Sequence, residues 1–550
     1  MSVDTLKLLP LGGLGEIGMN CFVLQWKDEI VLLDCGIQFP DASYTGVELL
    51  APDLSYLGAH LDHIKGIIVT HGHDDHIGAI PYLAREIDID VYVTPFPRGL
   101  IENKLTEHSG IKNIRFHEIT PREKFTIGSF TFDPIPVQHS IIESLAFAIE
   151  TPVGTIIHTG DFKHDDNEVN GQHIGLQPFQ EWGDKGVYLL LSDSTNAERP
   201  GHTISEVDIE HNFEEIFAKQ TGRLIVALFA SNIRRIGNLL RIAAKQGKKV
   251  ALAGRSMLSY TKLAHDQGSL DIPQDTLILL ENTTKYPDKD VIVLATGSQA
   301  EPGSALVRVS QGVHKDIEIR SGDQVIMSSR FIPGNERNIT SMIDQLYRAG
   351  AEVMYEAFHQ IHVSGHGFQD ELVAMLKATR PKFFVPVHGE YRHLKKHAML
   401  AKQTGVLPEN INVIENGQML EATADTLTLG PKINIKKVAI VDRDILDTGS
   451  ESFPNRNALA KTGVVFVALM VDKRTGKLWG TPRVAAHGLL YRQGEDPQAV
   501  LEQAIDKVEH VAELSAQSSE FTEILKLELR RLYKKRVSHK PLVIPLILEV

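Results

Sequence analysis

Residues 70–76 read Thr70-His71-Gly72-His73-Asp74-Asp75-His76. This heptapeptide closes an apolar, β-prone run over residues 65–70 and precedes a segment over 77–86 whose pattern predicts a helix. Ligand-type side chains packed so closely on a strand-to-helix loop converge without help from distant parts of the chain. Strand alternation turns His71 and His73 to one side. Asp75 and His76 then open the next turn and face a second ion. Structural zinc sites usually lean on cysteine, and no cysteine is near this loop, so the pattern points to a working metal centre.

Moving outward, three further residues repeat one arrangement, an apolar strand that ends in a ligand-type side chain. They are His139 after the strand at 130–137, Asp161 after 154–159 and His388 after 383–387. The resulting assignment gives one ion His71, His73 and His139, and the other Asp75, His76 and His388, with Asp161 bridging. Imidazole and carboxylate ligands with open positions suit Zn²⁺ best and Mn²⁺ next. Two ions about 3.5–4 Å apart activate water and stabilise in-line displacement at phosphorus. His158 is a rival to Asp161, but alternation points it away from the site.

The rest of the chain divides by pattern. Residues 1–200 read as strands, short turns and a few helices, including strands at 5–11, 19–26, 29–34 and 186–191. From about 205 to 350, strands at 223–230, 249–253, 291–295 and 324–328 alternate with helical stretches, the pattern of a parallel α/β sheet. Residues 351–435 return to the earlier style. Residues 444–457 are polar and aperiodic and read as linker. A small α/β segment follows, with strands at 464–471 and 542–548 and a helix at 497–514. The basic run 530–536 reads first as a solvated helix face and second as an RNA or oligomer contact. Gly13-Leu14-Gly15-Glu16-Ile17-Gly18 matches a dinucleotide fingerprint, and Asp34 stands near the distance of a ribose contact. The motif needs a helix next, whereas Met19–Leu24 is β-like, so a tight loop between strands is expected instead.

Composition sets the outer bounds. At about 100–200 residues per domain, 550 residues predict three or four domains. An apolar share of 42% and a charged share of 23% exclude a disordered chain, and no repeat at solenoid spacing occurs. No apolar run is long enough to span a membrane, and the first residues lack the pattern of a signal peptide. The two cysteines, Cys21 and Cys35, read as core side chains in a reducing cytoplasm. A net charge of −13 argues against a general nucleic-acid glue but leaves room for a local basic channel between the two large domains. The 24 histidines are a high count for this length.

The histidine loop, His139 and Asp161 resemble a metallo-β-lactamase fold. The long gap between Asp161 and His388, filled by an α/β segment, resembles the β-CASP nucleases. Asp193, His366 in His362-Val363-Ser364-Gly365-His366, and His388 in Pro386-Val387-His388-Gly389-Glu390 match motifs of that group. Over nearly its full length the chain is similar to the bacterial ribonuclease J family, including its opening at 11–20 and its C-terminal segment. The resemblance implies a metallo-β-lactamase αββα sandwich in two parts (1–205 and 351–440) with a β-CASP α/β domain inserted at 206–350. A linker at 441–460 and a C-terminal α/β domain at 461–550 complete it.

The resemblance also implies chemistry: a ribonuclease that digests single-stranded RNA 5′→3′, prefers a 5′-monophosphate end and also cuts internally, in rRNA maturation and mRNA decay. It implies two Zn²⁺ per subunit, with Mn²⁺ or Mg²⁺ as substitutes. His366 becomes the candidate general acid and Asp193 the carboxylate that orients it. Ser231, Asn232 and Ile233, with Arg234 and Arg235 following, form a strand end suited to an anion. His362, Val363, Ser364, Gly365 and His366 form a second candidate substrate loop. The expected partners are RNA, a second or further copies of the chain in a dimer or tetramer, and other RNA-processing proteins, in the cytoplasm and without a membrane. Some family members hold an extra cation near the region matching Gly46–Glu48. The alternatives are a β-CASP enzyme of DNA, a small-molecule metallohydrolase and a non-enzymatic RNA scaffold. A 2′-OH contact would separate RNA from DNA, and the large insertion argues against a small-molecule enzyme.

Overall fold

The computed structural model describes residues 4–41, 43–58, 60–165, 175–331, 335–355, 361–446, 452–472, 474–475, 477–516, 518–537 and 539–550. Its chain divides into two units, residues 1–39 with 50–437, and residues 40–49 with 438–550.

The larger unit is built on two stacked sheets. The first runs, from edge to edge, Leu427–Lys432, Gln418–Ala422, Leu6–Gly12, Cys21–Trp26, Glu29–Leu33, Ile64–Ile68, Ile89–Val93, Ile114–Glu118. The second runs Phe383–Val387, Leu189–Asp193, Gly154–His158, Leu145–Thr151, Phe130–Pro136, Phe125–Ile127. Alternation along each strand sorts the faces. Ile156, Leu189, Leu191 and Val385 point inward to meet Phe22, Leu24, Val31 and Leu33 of the first sheet. Their neighbours Ile157, Leu190 and Phe384 point outward and are covered by Phe179, Trp182, Leu372, Met375 and Leu400 from flanking helices. Strands buried on both faces must be apolar throughout, and Leu189–Leu191 and Phe383–Val385 are.

Two features of this sandwich decide where a site can form. Glu29–Leu33 is parallel to Ile64–Ile68, and Gly154–His158, Leu189–Asp193 and Phe383–Val387 are mutually parallel. The loops after these strands therefore leave at matching ends, where ligands gather in α/β folds. The register also pairs Asp193 with Val387, beside His388, although the two strands are separated by the whole insertion.

That insertion carries a six-stranded, all-parallel sheet in the order Leu277–Ile278, Lys249–Ala253, Val291–Ala295, Leu224–Ala227, Gln324–Met327, Glu352–Met354. Near its base lies a buried ionic knot. Arg235 Nη2 donates to both carboxylate oxygens of Glu206, at 3.0 and 2.9 Å, and Lys163 Nζ lies 3.6 Å from Glu206.

The second unit, described by itself, packs the sheet Arg483–His487, Val464–Val471, Leu542–Glu549 against helices Pro497–Ser515 and Phe521–Arg536. Val465, Val467, Leu469, Leu525, Leu529 and Tyr533 form its core, while Phe466, Met470, Ile544, Leu546 and Leu548 are exposed.

Three expectations need correction here. Residues 441–460 are not plain linker. Asp444–Leu446 pairs antiparallel with Lys437–Val441, and Ser452–Thr462 is helical, while residues 447–451 lie outside the described residues. That helix has no apolar stripe, so period-based reading passes over it. The segment 77–86 is not one helix but two single turns, Asp74–Ile77 and Ile80–Leu83. Third, the strand read over 223–230 stops at Ala227.

Burial works to raise the Glu206 pKa, but the Arg235 and Lys163 charges outweigh it and hold the carboxyl at about 2. A folded pKa below the unfolded one means stabilisation that is present above about pH 4.3 and is lost as pH falls through the folded value. Glu206→Gln should cost about 3–5 kcal/mol at neutral pH, since it strands Arg235. In denaturant melts, the gap between variant and wild type should close as pH drops from about 4.3 toward 2.

Candidate metal centre

The motif loop folds back so that His71 Nε2 lies 3.1 Å from His73 Nδ1, and His139 Nε2 lies 3.1 Å from the same atom. Asp161 Oδ2 stands 3.7 Å from His71 Nε2, 3.8 Å from His139 Nε2 and 3.3 Å from His76 Nε2. On the other side of Asp161, His76 Nε2 is 3.7 Å and His388 Nε2 3.3 Å from Asp75 Oδ2. His71, His73 and His139 form one group that could hold an ion, and Asp75, His76, Asp161 and His388 a second. Asp161 Oδ2 reaches into both. A third grouping, Asp161, Asp193, His366 and His388, joins the second to the pair beside it. His158 belongs to none of these groups; its Nδ1 accepts the Gly160 N–H at 3.0 Å.

The donor atoms of the first group are in the state a cation requires. His139 Nδ1 donates to the Gly365 carbonyl at 2.7 Å, which leaves Nε2 as a lone pair. Burial first, then neighbouring histidines, push His71 and His139 well below the usual imidazole range, and burial takes His73 to about 4. These three rings are neutral near pH 7, the form that coordinates metal. Burial also opposes charge on His76 and His388, but the surrounding carboxylates, Asp161 foremost, raise both. His388 Nε2 is buried without a hydrogen-bond partner. A buried, orphaned ring nitrogen beside Asp75 is what a second cation would satisfy.

Behind the ligands stands Asp34, which the sequence pattern offered only as a ribose contact. Its Oδ1 accepts the Thr70 N–H and its Oδ2 the Thr70 hydroxyl, both at 2.8 Å, and Oδ2 also accepts His76 Nδ1–H at 2.7 Å. Having given its proton to Asp34, the Thr70 hydroxyl accepts from His71 Nδ1 at 3.0 Å. One carboxylate thus sets the tautomer of one histidine in each group. Asp34 and His388 both hold left-handed backbone, at φ 60 and 51. Such strain costs of order 1–3 kcal/mol per residue and persists where the surroundings enforce it. The glycine loop is no nucleotide site: Leu14–Gly15 pairs with Gly389–Glu390 and so braces His388.

Beside the second group, His366 Nδ1 lies 2.8 Å from Asp193 Oδ2, and Asp193 Oδ1 accepts the Thr195 N–H and hydroxyl. Burial disfavours the His366 cation, but Asp193 and Asp161 outweigh it and raise the pKa above the ordinary histidine value. The anion loop looks different from its sequence. Ser231 Oγ sits 3.3 Å from His73 Nε2. Asn232 spends its side-chain oxygen capping the helix Ile233–Lys245 through the Arg235 N–H, and Arg235 is neutralised by Glu206. The Ile233 and Val363 side chains are buried, so only their backbone can face a ligand. His362 is held at about 3, chiefly by burial, and is neutral. Glu48 accepts the Asp442 N–H at 3.2 Å and joins no metal-type grouping among the described residues.

A sheet sandwich with two ligand groups at its strand ends, a carboxylate between them and a parallel-sheet insertion defines a metallo-β-lactamase-fold hydrolase with a β-CASP insert. Family models agree with this domain by domain. A beta-lactamase superfamily domain matches residues 30–179, the beta-CASP domain of ribonuclease J 221–346, a Zn-dependent metallo-hydrolase RNA specificity domain 350–414 and the ribonuclease J C-terminal domain 453–550. Ribonuclease J of Synechocystis is 38% identical, with 98% of this chain and 86% of that protein covered. Ribonuclease J2 of Bacillus subtilis is 32% identical over 100% of this chain and 99% of its own length. The chain belongs to the ribonuclease J family. The fold is also shared by a protein of unknown function from Enterococcus faecalis, at a TM-score of 0.54 and 14% identity over 76% of this chain and 100% of that one.

Removing Asp34 should loosen metal without touching a ligand. Asp34→Ala should weaken divalent-metal affinity about 10–100-fold, read by chelator competition, with far-UV circular dichroism unchanged. Unaltered affinity would show that Asp34 does not orient the ligands.

Proposed function

We propose that this chain is a metal-dependent ribonuclease that hydrolyses phosphodiester bonds in single-stranded RNA. The observation that carries this reading is the Asp161 carboxylate standing between two ligand groups, with the Asp193–His366 pair at its side. His71, His73, His139 and Asp161 would hold one cation, and Asp75, His76, His388 and Asp161 the other. Two divalent cations there supply a Lewis acid that activates water and draws charge from the phosphoryl oxygens. Zn²⁺ suits the nitrogen-rich donor set, and Mn²⁺ or Mg²⁺ are the substitutes to test.

The protein's own residues do the rest. His366 gives Nδ1 to Asp193, so Nε2 is the atom left to deliver a proton to the departing 3′ oxygen. Asp193 holds the ring's orientation and favours its charged form. The Ser364-Gly365-His366 turn, beside His139, is the candidate seat for a terminal phosphate. We read the activity as 5′→3′ exonucleolytic with a preference for 5′-monophosphate ends, with internal cleavage as well, serving rRNA maturation and mRNA decay in the cytoplasm. No helix among the described residues is long and apolar enough to cross a membrane. Self-association through the C-terminal unit, as dimer or tetramer, is supported by its exposed apolar strand residues.

The test uses 3′-labelled single-stranded RNA carrying a 5′-monophosphate or 5′-triphosphate, a matching DNA, added Zn²⁺ or Mn²⁺, and His76→Ala beside the wild type. Mononucleotide release from the monophosphate RNA, weak on triphosphate and lost with His76→Ala or chelator, is expected. Equal or better cutting of DNA would overturn the RNA assignment, and inertness toward both would overturn nuclease activity.

The pH profile carries a second test. His366 must be protonated to act as an acid, and its pKa is raised, so kcat should fall as pH climbs through that raised value. Asp193→Asn removes the first of the two carboxylate charges that raise it, so the alkaline limb should move to lower pH. A limb that stays in place would remove His366 from the proton transfer.

A further inference from the structure

The turn that bears His366 is tied down from three directions. The ring meets Asp193. The Gly365 carbonyl accepts from the ligand His139. The third tie is Asn196, whose side-chain amide donates to Ser364 Oγ at 2.7 Å and to the His366 carbonyl at 2.9 Å. Ser364 Oγ closes the turn by accepting the His366 N–H at 3.1 Å. Asn196 is 8% exposed, so both donors go to this turn rather than to solvent.

There is no slack in this arrangement. A Cβ at residue 365 would lie 2.7 Å from His139 Cε1 and 2.8 Å from Ser140 Oγ, so the turn already sits against the ligand ring. A shift of the turn is therefore one away from the His139 ring. Asn196 opposes that movement from the Asp193 side, because both stand on the segment 193–196. That segment therefore holds His366 twice, by its ring through Asp193 and by its backbone through Asn196.

We propose that Asn196 is a positioning residue, which fixes the Ser364-Gly365-His366 turn so that His366 faces the ligand groups while the Gly365 carbonyl orients His139. The proposal rests on His366 acting as proton donor. Without Asn196, the His366 carbonyl loses its side-chain donor, Ser364 Oγ keeps only the His366 N–H, and the turn drifts. A displacement near 1 Å at a reacting group can cost about 10²-fold in rate.

The experiment is a double-mutant cycle of Asn196→Ala with His366→Ala, run on full-length protein with the monophosphate RNA. Asn196→Ala alone should lower kcat about 30–100-fold while KM moves less than about 3-fold. In the His366→Ala background the same change should cost less than about 3-fold. Metal affinity, read without RNA by chelator competition, should weaken several-fold in Asn196→Ala because His139 loses its fixed partner. Equal losses in both backgrounds would overturn the proposal and leave the His366 reading standing. A His366→Ala enzyme with unchanged kcat would overturn both. If Asn196→Ala melts, Asn196→Ser, which keeps one donor, carries the test and should fall between the two.

Discussion

Asp161 is a carboxylate almost without water, facing nitrogens of His71, His76, His139 and His388 within 3.8 Å. Burial alone would keep such an acid protonated, yet the histidines, His388 first, hold it well below the carboxylate range. The centre therefore depends on charge balance. Asp161 stays ionised only while positive charge lies beside it, whether on His76 and His388 or on a cation. The surrounding architecture serves that balance: parallel strands bring the ligands to one end of the sandwich, and left-handed backbone at Asp34 and His388 aims two of the groups that maintain it.

Beyond the ligands, control of tautomers is shared out widely. Asp34 and Thr70 fix His76 and His71, Gly365 fixes His139, and Asp161 accepts from His388 Nδ1 at 2.9 Å. Each partner accepts a proton at one ring nitrogen and frees the other. Because Ser231 also meets His73, the insertion contributes to the centre as well as the sandwich.

Much of this could be read in the chain beforehand. The histidine loop is local, and the other residues of the two groups each end an apolar strand, so alternation and strand ends bring the same residues together as the structure does. Asp34 obeys the same strand-end rule, but an acidic residue is an unremarkable strand terminus until Thr70 and His76 are brought to it. Asn196 is harder still, since nothing near it in sequence announces a bond to His366 across 170 positions. Asn232 misled in the other direction: a residue suited to anions is equally suited to capping, and the helix Ile233–Lys245 claims it. Helix Ser452–Thr462 escaped because a helix with no apolar face leaves no period to read.

The pairing of Leu189–Asp193 with Phe383–Val387 has a temporal side. A ribosome delivers His71 through Asp161 early and His388 only after the whole insertion. At about 5–20 residues per second, the interval between Asp161 and His388 is roughly 10–45 s. Throughout it the nascent chain has the first ligand group but lacks the strand that completes the second. If hydrolysis needs both groups, a ribonuclease assembled in this order is disarmed while it is being made and becomes competent only once the chain has returned to close its sheet.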